Sequence, residues 1–246
     1  MSPEDWRQNQ AQVAKDLKRN KALESAKING LLFLSLDANE HFASFSRSCP
    51  RCCQRQVEVL EANGQKVKRT RYYHRYVFAH LGGPKLNLVL DVEAILPGQE
   101  ECVVALRLLG RLRRLYGPRF FDGITADAWY AQGPFLWALD KLGWLWIVVL
   151  KPEDREVFQE AVQLSKNHKP SAEFRDESRD RQVQLWAVKD LHFSDGYTQT
   201  QSVQVVRSKE RWTERGVQGG NQHAQWQQRQ WMWAACQGAW APIPPR

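Results

Sequence analysis

Gly30-Leu31-Leu32-Phe33-Leu34-Ser35-Leu36-Asp37-Ala38 and Phe120-Phe121-Asp122-Gly123-Ile124-Thr125-Ala126-Asp127-Ala128 decide how this chain is read. Each is an apolar run of strand length that ends in an aspartate. A carboxylate at the end of a buried strand is costly unless something binds it, and a divalent cation is the usual partner. Two such acids on neighbouring strands would begin a metal site for phosphodiester chemistry. The competing reading is that each aspartate merely caps a turn.

Working outward, the spacing predicts a helix over 3–27. Ser2 can cap it, Pro3 suits the first turn, Glu4 and Asp5 favour its positive end, and Asn29-Gly30 stops it. Strands are expected over 31–36, 72–81 and 86–96, with Gly82-Gly83-Pro84 turning between the last two. The short links suggest an antiparallel three-strand meander. Residues 46–71 read as a basic, polar connection. Val104, Leu108, Leu109, Leu112 and Leu115 then recur at helical spacing within 99–116. A strand at 120–126, a helix at 133–142, a buried strand at 144–150 and a helix at 152–166 follow. After a charged connector at 167–182, further strands are expected near 183–191, 202–208 and 229–236, with a polar loop at 213–228.

Three antiparallel strands followed by helix–strand–helix–strand–helix is the order of a ribonuclease H-like fold. The expected class is therefore α/β, a mixed sheet flanked by helices, with a β-rich insertion after the fifth strand. The expected division is an N-terminal helix at 1–29, a catalytic core at 30–166 and the insertion with a final part at 167–246.

The segment from Glu100 to Gln132 resembles the DDE transposases of bacterial insertion sequences. The family carries a helix with Glu-x-x-Ala-x-x-Leu-Leu and then a strand ending in Asp-Ala-x-x-x-Gln. Glu100 or Glu101, Leu108-Leu109, Asp127-Ala128 and Gln132 correspond to these, and Leu36-Asp37-Ala38 is similar to the strand that holds the family's first acid. The resemblance implies Mg2+ or Mn2+ held by Asp37 and Asp127, and cleavage and transfer of double-stranded DNA at terminal inverted repeats. It also implies a third acid, a Glu on a helix beyond the insertion. No Glu or Asp follows Glu214, so the expectation is a transposase truncated at its C-terminus and inactive alone. Glu210 and Glu214 alternate with Lys and Arg, the pattern of a self-paired surface. Asp91 and Glu93 point to one face of their strand, where pairing with arginine is the simpler role. The alternative function is a non-catalytic DNA-binding remnant of such an enzyme.

Cys49-Pro50-Arg51-Cys52-Cys53, with His41 before it and His74 after, is a second constellation. Thiolate and imidazole suit zinc; the candidate set is Cys49, Cys52 or Cys53, and a histidine, with His74 preferred. Reduced thiols on a hairpin loop are the competing reading. Two basic stripes complete the candidates: Lys66, Lys68, Arg69 and Arg71 in the run that leads into the second strand, and Arg107, Arg111 and Arg114 on one helical face. Both could neutralise phosphates; the helical stripe reads equally well as a solvated face.

The whole chain is consistent with that list. Its 246 residues carry a net charge of +8 and a pI near 9.4, which favours a polyanionic partner. Charged residues at 25% and hydrophobic ones at 43% indicate a globular protein. The apolar stretch 142–150 is too short to cross a bilayer, and the polar, acidic N-terminus is no signal peptide. A cytoplasmic, nucleoid-associated protein without membrane contact is expected, with homo-oligomerisation open. Core packing accounts for most of the eleven tryptophans.

Overall fold

The computed structural model describes residues 2–62, 64–83, 86–151, 156–194, 201–214 and 225–236, with backbone alone for 213–214 and 225–232. The protein is α/β, with a mixed sheet of parallel and antiparallel strands flanked by helices. It divides into two compact units, Met1–Thr125 and Ala126–Arg246.

The first unit opens with α1 (Pro3–Arg19). Ser2 Oγ accepts from the Asp5 amide at 3.1 Å while Asp5 accepts from the Ser2 amide at 2.8 Å, so two otherwise unpaired donors of the first turn are satisfied reciprocally. The helix is shorter than the sequence suggests. Asn20 caps it, Lys21 turns left-handed (φ 60°), and Ala22–Ala26 continues as a 3-10 turn. Ala11, Ala14, Leu23 and Ala26 are its buried side chains.

The sheet of this unit is built on β3 (Lys66–Gly83). Along one edge runs β1 (Phe33–Ser44), antiparallel, with Leu34 opposite Leu81, Leu36 opposite Ala79 and His41 opposite His74. The other edge is shared: β2 (Cys53–Leu60) pairs with Lys66–Tyr73, and β4 (Leu86–Ile95) pairs with Arg75–Gly83. The expected antiparallel meander is present, with β3 running through the Gly82-Gly83 pair that the sequence marks as a turn. Gly83 is needed there, because a Cβ would lie 2.6 Å from the Ala26 backbone. The strand β2 lies in the region expected to be an irregular connection; its polar residues Gln54, Arg55, Gln56 and Glu58 face solvent, which hides the strand signal.

Helix α2 (Glu101–Tyr116) buries Val104, Ala105, Leu108, Leu109 and Leu112, and each large aliphatic side chain contributes about 1.5–3 kcal/mol. Beside β1 lies β5 (Gly123–Ala126), begun by Leu32 donating to the Asp122 carboxylate at 2.7 Å and tied by Ser35 Oγ to Thr125 Oγ1 at 2.8 Å.

The second unit contains α3 (Gly133–Leu142), β6 (Leu145–Val149), α4 (Glu156–Lys166), β7 (Ala172–Asp176), β8 (Arg181–Phe193), β9 (Gln201–Glu214) and β10 (Gln225–Cys236). Its strands are ordered β6-β10-β9-β8-β7, and every register among them is antiparallel. The charged connector expected at 167–182 holds β7 and a 3-10 turn. β9 and β10 extend into both ends of the expected loop at 213–228; its centre, 215–224, lies outside the described residues, as does the start of the expected helix at 152–155. The buried Trp146 donates its indole N–H to Asp140 at 2.7 Å, and Gln201 donates to the other oxygen of that carboxylate at 2.8 Å. No helix among the described residues is long and apolar enough to cross a membrane.

Candidate metal centre

The two aspartates that open the sequence are both solvent-exposed, so burial creates no demand for a counter-ion at either. Asp37 lies within β1 and not at its end, and accepts from Asn39 Nδ2 at 3.3 Å. Asp127 caps the 3-10 turn Ala128–Tyr130, accepting from the Trp129 amide at 2.9 Å, and Gln132 donates to the Trp129 carbonyl. That is the turn-capping role set against the metal reading above. Each aspartate nevertheless presents oxygen donors of the kind a hard cation takes.

The basic stripes separate into paired and unpaired members. Arg111 reaches Asp91 at 2.6 Å and Glu93 at 2.5 Å, and Arg107 meets Glu93 at 3.0 Å, so their charge is matched inside the fold. Arg69 pairs with Glu61 at 2.6 Å and Arg71 approaches Glu40 at 3.6 Å. Lys66, Lys68 and Arg114 are exposed. Glu101 pairs with Arg75, and Glu210 with Arg181. The side chain of Glu214 lies outside the described residues.

The cysteine constellation converges. Between β1 and β2 the chain departs from regular pairing: the register shifts after His41, and Phe42 adopts φ 55°. Ser44 Oγ then accepts from the amides of Ser46 and Arg47 at 3.2 and 3.0 Å, turning the chain into the loop 45–52. Within Cys49-Pro50-Arg51-Cys52 the Cys52 amide donates to the Cys49 carbonyl at 3.0 Å, and the Cys49 amide donates back to Cys52 Sγ at 3.2 Å. This tight turn stacks the two thiols on one side.

There they meet His74 from β3. Cys49 Sγ lies 3.6 Å from Cys52 Sγ and 3.6 Å from His74 Nε2, and Cys52 Sγ lies 3.5 Å from the same nitrogen. Among the described residues this is the one group of three or more His, Cys, Asp or Glu whose donor atoms all lie within 4.8 Å of one another. Cys49 is exposed, and Cys52 and His74 are half-buried. The backbone amide of Arg51, then the Cys52 side chain, hold the Cys49 thiol below its ordinary pKa. A thiol so placed is readily ionised, which is the form that binds metal.

The sequence leaves two alternatives open, Cys53 and His41. Cys53, one residue further along, turns to the Ile95 carbonyl at 3.5 Å, and burial pushes its thiol up. His41 packs its ring on Phe78 and Tyr76 at 5.4 and 6.0 Å. Neither belongs to the cluster. The left-handed Phe42 and the Ser44 turn, which deliver the loop to His74, carry no mark in the sequence, because a bulky aromatic is a poor candidate for positive φ.

Compared with known proteins, the chain matches no protein-family model and has no significant match among curated proteins.

Proposed function

We propose that this chain is a DDE-type transposase polypeptide, with Asp37 and Asp127 as two of the carboxylates that hold Mg2+ or Mn2+ and double-stranded DNA as its partner. The observation that carries this reading is the strand order of the first unit, β4-β3-β1-β5, antiparallel from β4 to β1. A ribonuclease H-like sheet runs third–second–first–fourth in the same way. Asp37 is on β1 and Asp127 directly follows β5, the positions at which the family resemblance expects its first two acids. When bound, a divalent ion there supplies Lewis-acid stabilisation of phosphoryl oxygens; the contribution of this chain is the pair of carboxylates and the lysines Lys66 and Lys68 on β3 for the DNA backbone.

The family's third carboxylate has no motif match in 167–246, so metal binding discriminates better than strand transfer. Titration with Mn2+, followed by its electron paramagnetic resonance, should show weakening of at least roughly tenfold, or about 1.4 kcal/mol, in both Asp37→Asn and Asp127→Asn. Wild-type affinity in both variants would refute the reading. Because both aspartates are exposed and Asp127 already serves as a cap, a second reading is a non-catalytic DNA-binding remnant. It predicts salt-dependent DNA binding that is indifferent to Mg2+ and to Asp37→Ala.

A further inference from the structure

We propose that Cys49 Sγ, Cys52 Sγ and His74 Nε2 bind one Zn2+, with solvent as the fourth ligand, and that this ion fastens the loop 45–52 to β3.

Geometry comes first. Zinc–sulfur and zinc–nitrogen bonds of about 2.3 and 2.0–2.1 Å, set at tetrahedral angles, place ligand atoms about 3.8 Å apart for a sulfur pair and about 3.6 Å apart for sulfur and nitrogen. The observed separations are 3.6 Å for the sulfurs and 3.6 and 3.5 Å for the two sulfur–nitrogen pairs. The three donors therefore already outline one face of a tetrahedron. No fourth His, Cys, Asp or Glu joins them among the described residues. The cluster instead borders an open hollow of about 540 Å3 that Phe42, Arg47 and Ser48 also line, giving solvent access to the remaining position.

Chemistry selects the metal. Two soft sulfurs and an imidazole suit zinc and do not suit the oxygen-seeking Mg2+ or Mn2+ of the proposed carboxylate site. The amide of Cys49 donates to Cys52 Sγ, the kind of outer hydrogen bond that orients a metal-bound ligand.

Energetics gives the ion a task. Every residue from Phe45 to Arg51 is exposed, so the loop buries little surface to offset the entropy of holding one conformation. Ser44 Oγ holds its start, and the contacts of Cys49 and Cys52 with His74 anchor its far end. Metal binding supplies the missing constraint. A Cys49–Cys52 disulfide would instead consume both sulfurs and leave His74 out.

Elemental analysis of the full chain, purified with reductant and without chelator, should find one zinc per chain. Replacement by Co2+ should give a tetrahedral visible spectrum with a thiolate charge-transfer band whose intensity fits two sulfurs. Cys52→Ser and His74→Ala should each weaken zinc binding at least roughly tenfold, while Cys53→Ser and His41→Ala leave it unchanged. Wild-type protein with reduced thiols that retains no zinc, a cobalt spectrum without a thiolate band, or full zinc retention in Cys52→Ser would each overturn the proposal. The cobalt spectrum of the unaltered chain keeps the test decisive even if a ligand variant fails to fold.

Discussion

The seam between β4 and α2 and the meeting point of the loop 45–52 with β3 handle polar groups in opposite ways. At the seam Asp91 is fully buried, and each of its oxygens is matched: one by Arg7 Nε at 3.4 Å and the Val92 amide at 2.8 Å, the other by Arg111 Nε at 2.6 Å. Glu93 is matched equally, by Arg107 and Arg111. At the loop, two sulfurs and an imidazole nitrogen converge on one another. A charge cluster that satisfies itself is a part of the fold; the donors that converge at the loop are those from which the zinc site is proposed. The same contrast explains why Arg107 and Arg111, which look like a phosphate-binding stripe in the sequence, serve the fold.

The seam should therefore break hardest. Arg111→Ala leaves a fully buried carboxylate with Arg7 as its remaining cation, at an expected cost of about 3–5 kcal/mol, read by urea denaturation of the full chain. Replacing both partners, as in Asp91→Leu with Arg111→Met, should recover most of that loss, because a well-packed apolar pair is often neutral relative to a buried ion pair. A cost under about 1 kcal/mol for Arg111→Ala would show that the seam is not closed as described.

The loop should respond next, and to metal. Removing zinc should accelerate tryptic cleavage after Arg47 or Arg51 by roughly tenfold, as expected when a local segment loses its anchor, with no change in the urea midpoint contributed by the seam. In the metal-free protein the two neighbouring cysteines should separate by pH. Cys49 is held down, chiefly by the Arg51 amide, so its thiolate forms and alkylation plateaus at lower pH; Cys53 is pushed up by burial and reacts only at higher pH. Peptide mass spectrometry after iodoacetamide across a pH series reads both. The reverse order would contradict the geometry of the turn.

Legibility in the sequence divides along the same line. Elements with an apolar face are readable: α2 through Val104, Leu108 and Leu112, and the antiparallel run of β1, β3 and β4 through their buried positions. β2 is not, because it is an edge strand whose only half-buried side chains beyond Cys53 are Val57 and Val59. The early end of α1 rests on Asn20 and a left-handed Lys21, and lysine gives no warning of that conformation. At the proposed zinc site, Cys49-x-x-Cys52 is legible as a pair of candidate ligands. The choice of Cys52 over Cys53, and of His74 over His41, is not. Cys52 and Cys53 are chain neighbours that diverge, Cys53 toward the Ile95 carbonyl. His41 and His74 are directly paired across β1 and β3, so only the course of the loop decides which imidazole the thiols meet.

Asp127 tests the comparison from the exposed side. Its carboxylate caps the turn Ala128–Tyr130 through the Trp129 amide. Asp127→Ala should cost about 1 kcal/mol of stability. Asp127→Asn, which keeps an accepting oxygen, should cost only a few tenths while still losing the charge a divalent ion needs. An alanine variant as stable as wild type would remove the capping role and leave metal binding as the reason for the residue.

The smallest effect belongs to the surface pair nearest the loop. Arg55 meets Glu40 through both nitrogens, at 2.7 and 3.1 Å, and Arg71 adds a longer contact at 3.6 Å. The geometry is as good as that of the seam, but the Arg55 and Glu40 side chains are 44% and 26% exposed against 13% and 0% for Arg111 and Asp91. Solvent screening should hold the Arg55–Glu40 coupling to about 0.2–1 kcal/mol in a double-mutant cycle, and about 1 M salt should remove most of it. Arg71 can take over part of the role when Arg55 is lost, which lowers the apparent coupling further. A coupling as large as the seam's, or one insensitive to salt, would mean that burial is not what separates structural charges from surface ones in this sheet.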